Sequence, residues 1–457
     1  MVGELDLAER ITLSLFLLGL VACILGGFQI LYALAFGLVC FVVYGLLKKH
    51  TPRQMVTMML DGIRGAKNIL IIFLLIGILT SVWRSSGTIP FLIYHAVQVL
   101  NPSFFVLYTF LLCCMMSFLM GTSFGTAATM GVVCMMISRS LGIDPVLSGG
   151  AILAGSYFGD RCSPMSSSAL LVSELTDTNI YDNIRRMLKT AAIPFALSCL
   201  LYLVARGASS QTGSVASLDM FREHFNLSFV VVLPALLIII LSLFRVPVKR
   251  TMLLSILVAG VICLTVQKIP LTQLLPRLLL GYESPNAELA ALLNGGGILS
   301  MAKVAGIILI STSYFGIFKQ TELLTEVRRL VEASASKITP FGSVLFTSVV
   351  MSAISCNQTL ATMLTFQMCD SILPDRKKLA IVLEDTVIVI APLIPWSIAG
   401  GMPLTTVGAP TMSIWFAFYL SLLPIFSFGM ELLLNRKNKQ TAAEEIAESL
   451  PNTEESK

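Results

Sequence analysis

Long apolar segments separated by short polar ones make up most of the chain. A transmembrane helix needs about 20 predominantly apolar residues, and runs near that length predict such helices. These runs are Ile11 to Phe28, Gln29 to Leu47, Lys67 to Trp83, Leu188 to Val204, Leu227 to Phe244, Thr251 to Val266, Lys303 to Phe318 and Met412 to Leu434. The pattern indicates an all-α polytopic membrane protein.

Two further pairs of apolar runs are short and surround polar residues. Phe104 to Met120 and Thr126 to Ser138 flank a tip of small and hydroxylated residues, Gly121 to Thr126. Phe341 to Ser371 repeats this pattern around Ser355 to Thr359. Non-helical backbone at membrane depth is tolerated where it is buried in protein or lines a wet cavity. We therefore predict two re-entrant hairpins, with ordinary spans joined by a polar turn as the alternative.

Two longer apolar stretches are interrupted by residues that disfavour a helix. Ser148 to Thr176 contains the polar segment Gly159 to Ser168, which includes Pro164. Leu379 to Pro410 contains two adjacent acids and then a series of helix-breaking residues: Pro392, Pro395, Gly400, Gly401 and Pro403. We predict that each stretch is a broken helix.

Three acids in these stretches, Asp160, Glu384 and Asp385, are candidate cation or proton carriers. A charge at bilayer depth costs about 2.5 to 3.5 kcal/mol on insertion scales. The presence of these acids in apolar segments therefore indicates a structural or functional role. Two structural alternatives stay open. Asp160 and Arg161 could neutralise each other, and the pair Glu384 and Asp385 could reach the membrane surface near the basic residues Arg376 to Lys378.

The two halves of the chain carry similar motifs in the same order. Ala66-Lys67 recurs as Ala302-Lys303, and Thr126 to Met130 recurs as Thr359 to Met363, at offsets of 236 and 233 residues. The first half enters its span from the cytoplasmic side and the second from outside, so the repeats are inverted. Paired discontinuities in inverted repeats are typical of secondary transporters with a midplane site, although chance similarity between apolar segments is the alternative.

This repeat predicts an organisation into five parts. They are residues 1–65 with the N-terminal spans and a cytoplasmic arm, 66–206 as repeat 1, 207–300 with linking spans and an external connector, 301–434 as the inverted repeat 2, and 435–457 as a charged cytoplasmic tail.

Basic loops predict the orientation. With ten crossings and two hairpins, three basic segments fall on the same side of the membrane: Lys48-Lys49, Arg245 to Arg250 and Arg376 to Lys378. The positive-inside rule predicts that this side is cytoplasmic. Both termini then lie in the cytoplasm, and Arg84 to Gly87 marks the opposite surface. The expected location is the plasma membrane.

Composition narrows the function. The 457 residues are 56% hydrophobic and 12% charged, with a mean hydropathy of +0.85, far from soluble domains. The net charge of +5 reflects basic loops and indicates no nucleic-acid partner. Ten scattered cysteines and three histidines form no metal or disulfide spacing. The expected partners are the bilayer and small ions, without a cofactor, and a homodimer is left open.

Several motifs resemble those of the NhaC-type sodium/proton antiporters. They are Gly125-Thr126, the segment Tyr157 to Ser166, Leu383 to Asp385 and Ala391 to Trp396. The resemblance implies a transport core of two hairpins and two broken helices and an ion-coupled antiport. Related exchangers of malate for lactate leave the solute open. Ser167 stands where the family is expected to carry an acid, which leaves room for an organic solute.

These observations predict an ion-coupled secondary antiporter. The leading hypothesis for its function is sodium/proton exchange by alternating access. Coupled exchange of a carboxylate or amino acid is the alternative. Asp385 is favoured over Glu384 as the carrier because it lies nearer the proline-rich break, and Glu384 is expected at the interface or beside Lys378. Candidate ligands at the breaks are Thr126, Ser163, Ser167, Asn357, Thr359 and Trp396, with Na+ expected at Asp160, Asn357 and Asp385. A membrane enzyme is disfavoured, because no nucleophile and base are paired.

Overall fold

The computed structural model describes residues 2–26, 28, 30–65, 67–205, 218–244, 246–321 and 339–449. These residues are nearly all helical, and their one β-type pairing is a bridge between Tyr282 and Gly295. Outside the hairpins and broken helices the helices are Val2–Leu25, Ile30–Leu47, Pro52–Gly65, Lys67–Ser85, Thr88–Val99, Ile180–Val204, Leu218–His224, Leu233–Leu243, Val248–Thr265, Leu271–Leu280, Ala287–Leu293, Ala302–Thr321 and Phe418–Ser449. The all-α prediction is confirmed.

Several of these helices suit a bilayer in length and composition. Within the described residues, four helices are each long and apolar enough to cross a membrane: Pro102–Met120, Ile180–Val204, Val248–Thr265 and Ile298–Phe318. Two bent pairs raise the number to six: Leu70–Ser85 with Thr88–Val99, bent by 65°, and Arg376–Leu393 with Ile398–Val407, bent by 54°. The protein is thus a multi-pass membrane protein, while the count of ten crossings stays a prediction.

Some predicted segments lie partly outside the described residues. These include Ala66 of the first repeat motif, Arg245 of a basic loop, residues 322–338 within the predicted repeat 2, and the end of the tail from residue 450. Residues 206–217 at the boundary between repeat 1 and the linking spans are also outside, and the five-part division stays a prediction. The described connector contains the helices Leu271–Leu280 and Ala287–Leu293.

The first hairpin consists of two helical arms, Phe105–Met120 and Val132–Ser140, joined by a short helical tip over residues 123–131. Gly121 ends the first arm with a φ of 63°, a left-handed conformation that favours glycine. A Cβ atom at Gly121 would lie 2.4 Å from the carbonyl carbon of Met165. The tip therefore packs against the break of the neighbouring helix.

The first broken helix consists of Pro145–Cys162 and Ser167–Thr176. Ser163 adopts an extended conformation, and the Ser166 hydroxyl accepts hydrogen bonds from the amides of Ser168 and Ala169, which caps the second half. Its first half packs closely on the first hairpin, where a Cβ atom at Gly159 would lie 2.0 Å from the carbonyl carbon of Ser117. The predicted interruption is confirmed.

The second hairpin has the arms Pro340–Ser355 and Gln358–Cys369. Cys356 takes a left-handed φ of 54°, and the Asn357 side chain caps the second arm by accepting from the Thr359 amide at 2.9 Å. In each half a left-handed residue, Gly121 or Cys356, ends the first arm, and the side chain of the next residue, Thr122 or Asn357, caps the helix that follows.

The second broken helix comprises Arg376–Asp385, Val387–Ile390, a 3₁₀ turn at Ala391–Leu393, and Ile398–Val407. Thr386 interrupts it with φ −119° and ψ −87°. The amide of Ile398 donates to the carbonyl of Cys356 at 3.0 Å, which joins this break to the second hairpin.

The hairpins also pack on the broken helix from the other half of the chain. Ala127–Gly131 of the first tip contacts Ile398–Val407, and Ser167–Thr176 contacts Gln358–Cys369. The Tyr157 hydroxyl donates to the carbonyl of Ala399 at 2.8 Å. The two helical hairpins and the two broken helices thus form one bundle, which brings residues of both halves of the chain together. Re-entrance stays a prediction, because the helix Pro102–Met120 is itself long and apolar enough to cross a membrane.

Candidate functional site

Arg161 occupies the centre of this bundle with its side chain fully buried. Its guanidinium forms an ion pair with Asp385 and donates to the Thr190 hydroxyl at 2.8 Å and the Tyr419 hydroxyl at 3.2 Å. It also donates to the carbonyls of Met187 and Glu384. The alternative in which Asp160 and Arg161 neutralise each other is therefore wrong, because the acid paired with Arg161 is Asp385.

Asp385 is saturated with hydrogen-bond donors. Besides the ion pair, its carboxylate accepts from the Ser427 hydroxyl at 2.8 Å and from the Thr190 hydroxyl at 3.3 Å. Its exposed fraction is 2%. A buried ion pair is maintained when the remaining lone pairs are satisfied, so the contacts of Asp385 are those of a structural link between the broken helices.

Glu384, its neighbour, has the opposite environment. It is 0% exposed, and within the described part of the chain neither carboxyl oxygen has a hydrogen-bond partner. Asp160, Asp385 and Arg161 are all close enough to act on its charge. An ionised carboxylate that is buried without a donor is strongly disfavoured, so this arrangement favours the neutral acid.

Two expectations for these acids are corrected. Both are buried inside the bundle, so they do not reach the membrane surface. Glu384 does not pair with Lys378, because the Lys378 ammonium lies 4.0 Å from a carboxyl oxygen of Glu431 instead. The reason is helical geometry, since the basic cluster begins the helix and the acids end it.

Asp160 joins the first broken helix to the second hairpin. Its Oδ2 atom accepts hydrogen bonds from the Ser168 hydroxyl at 3.0 Å and from the Gln358 amide group at 3.2 Å. Its exposed fraction is 3%. All of its donors are neutral, in contrast to the Arg161 that neutralises Asp385.

A cavity of about 300 Å³ lies beside Asp160, between the second half of the first broken helix and the second arm of the second hairpin. Ser168 and Gln358, the two donors to Asp160, form part of its wall. Its lining also includes Ser167, Leu170, Leu171, Glu174, Thr359 and Thr362. The arrangement offers a mobile cation the carboxylate of Asp160 beside the cavity, that of Glu174 on its wall, several neutral oxygens and a route to solvent.

The sequence comparison decides the family. The model of the Na+/H+ antiporter family matches residues 8–173 and 155–433. The chain belongs to this family. The antiporter is similar to the Na+/H+ antiporter NhaC of Alkalihalophilus pseudofirmus, with 28% identity over 81% of the chain and 82% of that protein.

Two further relatives are named for other substrates. The antiporter is 25% identical to the malate-2H+/Na+-lactate antiporter of Bacillus subtilis, over 88% of the chain and 90% of that protein. It is 27% identical to the arginine/ornithine antiporter ArcD of Halobacterium salinarum, over 77% of the chain and 75% of that protein. The antiporter is therefore an ion-coupled secondary transporter, as the motifs predicted.

The remaining candidate ligands of the antiporter mostly stabilise its breaks. The Thr126 hydroxyl donates to the carbonyl of Thr122 at 2.9 Å, and the Ser163 hydroxyl accepts from the amide of Met165 at 3.1 Å. Trp396 donates to the carbonyl of Ala353 at 2.8 Å and lines a second cavity of about 260 Å³. These contacts are structural, and they leave Ser167 and Thr359 as the two candidates that line the cavity beside Asp160.

The expected Na+ set of Asp160, Asn357 and Asp385 has a different arrangement in the antiporter. The Asn357 oxygen caps a helix and Asp385 pairs with Arg161, so the three side chains have separate contacts. Sequence reasoning missed several residues of the site: Ser168, Glu174, Thr190, Gln358, Tyr419 and Ser427. Ser168 and Gln358 adjoin named candidates, which is a usable signal, whereas Thr190, Tyr419 and Ser427 lie far away in sequence.

Proposed function

We propose that the antiporter exchanges Na+ for H+ by alternating access, with Glu384 as the proton carrier. The observation that carries this proposal is the fully buried carboxyl group of Glu384, whose two oxygens have no hydrogen-bond partner in the described chain. Burial costs such a group far less when it is protonated than when it has lost its proton in place. The geometry thus favours Glu384 over Asp385, the reverse of the order predicted from the sequence.

Asp160 supplies the cation site in this proposal. Na+ prefers hard oxygen donors. The Asp160 carboxylate has the Ser168 hydroxyl beside it, and Gln358 donates to it from its amide nitrogen. Ser167 and Thr359 provide further hydroxyls on the cavity wall. The other candidate ligands, Thr126, Ser163, Asn357 and Trp396, hold the breaks in the shape that this site requires.

Electrostatics couples the two ions. The negative charge of Asp160 disfavours an ionised Glu384. A cation bound at Asp160 cancels that charge, so Glu384 then releases its proton more easily. Proton binding and cation binding oppose each other, as an exchanger requires.

The Arg161–Asp385 ion pair holds the two broken helices together beside this site. It neutralises one of the three acids without using a transported ion, because both partners are buried and bonded to the surrounding helices. One acid then remains for the proton and one for the cation.

A second candidate function is exchange of a small carboxylate or amino acid coupled to Na+ or H+. The cavity of about 300 Å³ far exceeds the volume of about 30 Å³ that one water occupies. It is lined by Ser167, where the family resemblance leads us to expect an acid. The relatives that exchange malate and lactate, or arginine and ornithine, give this alternative its substrate classes.

Flux measurements in proteoliposomes test these functions. We expect a pH gradient to drive ²²Na+ uptake by the wild type and by Glu288→Gln, a control at an exposed acid. Glu384→Gln should lose coupling between the two gradients, and Asp160→Asn should lose Na+ transport. Full exchange by Glu384→Gln would disprove the carrier, and uptake only of carboxylates or amino acids would establish the second function.

We also propose the predicted orientation in the plasma membrane, with cytoplasmic termini. It rests on the basic loops and is tested by cysteine labelling near Lys48, Lys249 and Lys377. External labelling at any one of them would overturn it. A homodimer remains a prediction. It is tested by measuring the protein mass of the purified particle after the contribution of bound detergent is subtracted.

A further inference from the structure

A cavity of about 260 Å³ adjoins the break of the second broken helix at Pro395 to Ile398. Its other walls come from the helix Ile398–Val407, from the start of the helix Ala302–Thr321, and from Phe28 and Leu31 near the turn between the first two helices. One water occupies about 30 Å³, and pockets for drug-sized ligands begin at about 300 Å³. The cavity therefore has room for one small solute.

The charge on the wall of this cavity is positive. Among the described residues that line it, Lys303 alone is charged, and its side chain is exposed and forms no ion pair with a described acid. The cavity beside Asp160 has the opposite character, because Glu174 lies on its wall. The field of each cavity selects for one sign of charge, so the cavity at Lys303 favours an anion.

Ser397, at the break itself, has a hydrogen-bond donor to spare. It lines the cavity and is 1% exposed. Its hydroxyl oxygen accepts from the amide of Ala399 at 3.3 Å, whereas its hydroxyl proton has no acceptor among the described residues. A buried donor without an acceptor is unfavourable. An anionic oxygen in the cavity would accept this proton in a charge-assisted hydrogen bond.

Apolar side chains form much of the remaining wall. The Trp396 indole donates its N–H group to the carbonyl of Ala353 at 2.8 Å, which holds the ring in place at the cavity. The aliphatic side chains of the wall are Leu31, Val304, Ile307, Met402 and Leu404. Burial of an apolar group against them is favourable, and an inorganic ion gains nothing from it. The wall therefore suits an anion that has an apolar body.

We propose that this cavity binds a small organic anion, a carboxylate with a compact apolar body, and that Lys303 and Ser397 are its polar contacts. The predicted topology places Lys303 on the external side, so the ligand enters from outside the cell. The proposal goes beyond Na+/H+ exchange and does not rest on it. Binding is measured without any gradient, so failure of either proposed exchange leaves the test unaffected.

Equilibrium binding to the purified full chain in detergent tests this site. The probe is radiolabelled benzoate at neutral pH, and benzamide, its uncharged analogue of similar shape, is the control ligand. We expect saturable binding of benzoate by the wild type, and no displacement by benzamide at the same concentration. Lys303→Gln should raise the Kd for benzoate by about tenfold or more, because a charge-assisted contact is lost.

Two control variants accompany Lys303→Gln. Lys303→Arg keeps the charge and should keep the binding. Lys67→Gln changes the corresponding lysine of the first half of the chain, which is exposed and lies outside the cavity wall, so its Kd should equal that of the wild type. A Kd that is the same in Lys303→Gln and the wild type overturns the proposal.

A further variant tests the cavity and leaves Lys303 in place. Gly401 lines the cavity, and nothing lies within 4 Å of a Cβ atom added to it. Gly401→Leu should therefore fold with a Tm close to that of the wild type, fill the space and abolish benzoate binding. Unchanged binding by Gly401→Leu overturns the proposal, as does wild-type binding that is not saturable or that benzamide displaces equally well. Binding in phosphatidylcholine nanodiscs that is abolished in phosphatidylglycerol would assign the cavity to a lipid phosphate, which also overturns it.

Discussion

Arg161 and Asp385 form a buried ion pair although 224 positions separate them in the chain. Each residue lies in the last turn of the first half of a broken helix, so the pair connects the two broken helices at their discontinuities. The acids next to these two residues in sequence have other environments. Glu384 has no hydrogen-bond donor to its carboxyl group among the described residues, and Asp160 accepts hydrogen bonds from neutral side chains. The three carboxyl groups of the bundle thus have three different environments.

Breaking the ion pair should destabilise the antiporter. Asp385→Asn leaves the Arg161 charge buried and unpaired, which typically costs about 3 to 5 kcal/mol. Ser427→Ala removes only one hydrogen bond to the same carboxylate and should cost less, about 1.5 to 3 kcal/mol. Denaturant unfolding in detergent measures both. Equal stability of Asp385→Asn and the wild type would show that Asp385 is free to carry an ion.

Glu384→Gln should leave stability unchanged or raise it. Glutamine has nearly the shape of protonated glutamate and cannot ionise, so no buried charge is lost. Transport should nevertheless become independent of the proton gradient. The two measurements separate a carrier from a structural residue, because a structural role for Glu384 predicts a lower Tm together with the transport defect.

The breaks of the fold could be predicted from the sequence because they depend on local chemistry. Gly121 and Asn357 end or begin helices through their own backbone and side-chain preferences. The partner of Asp385 could not be predicted in this way. Neighbouring residues on a helix point about 100° apart, so the sequence alone does not show which of Glu384 and Asp385 faces Arg161.

The tip of the first hairpin should not tolerate a side chain at Gly121. Gly121→Ala combines an unfavourable left-handed φ with a Cβ atom 2.4 Å from the Met165 carbonyl carbon, and the conformational part alone costs about 1 kcal/mol. Gly401→Ala is the matched control, because nothing lies within 4 Å of its added Cβ. We expect Gly121→Ala to lower Tm and transport while Gly401→Ala retains both. Equal Tm values for the two variants would place the tip away from the break.

Glu174 should influence how cations reach the site from one side of the membrane. It is exposed and lines the cavity that also contains Ser168 and Gln358, the donors to Asp160. A negative charge at such an opening raises the local cation concentration, and salt screens this effect. Glu174→Gln should therefore raise the apparent KM for Na+ applied at the cavity side, and the increase should shrink as potassium chloride is added.

Vesicles of both orientations determine whether Glu174 acts in this way. The predicted topology places the cavity on the cytoplasmic side, so the KM effect should appear in inside-out vesicles and be absent from right-side-out ones. Asp182→Asn, a change at an exposed acid outside the cavity, should alter neither. A KM increase of the same size on both sides and at all salt concentrations would mean that Glu174 supports the fold of the site and does not attract the ion, since screening acts only on the long-range field.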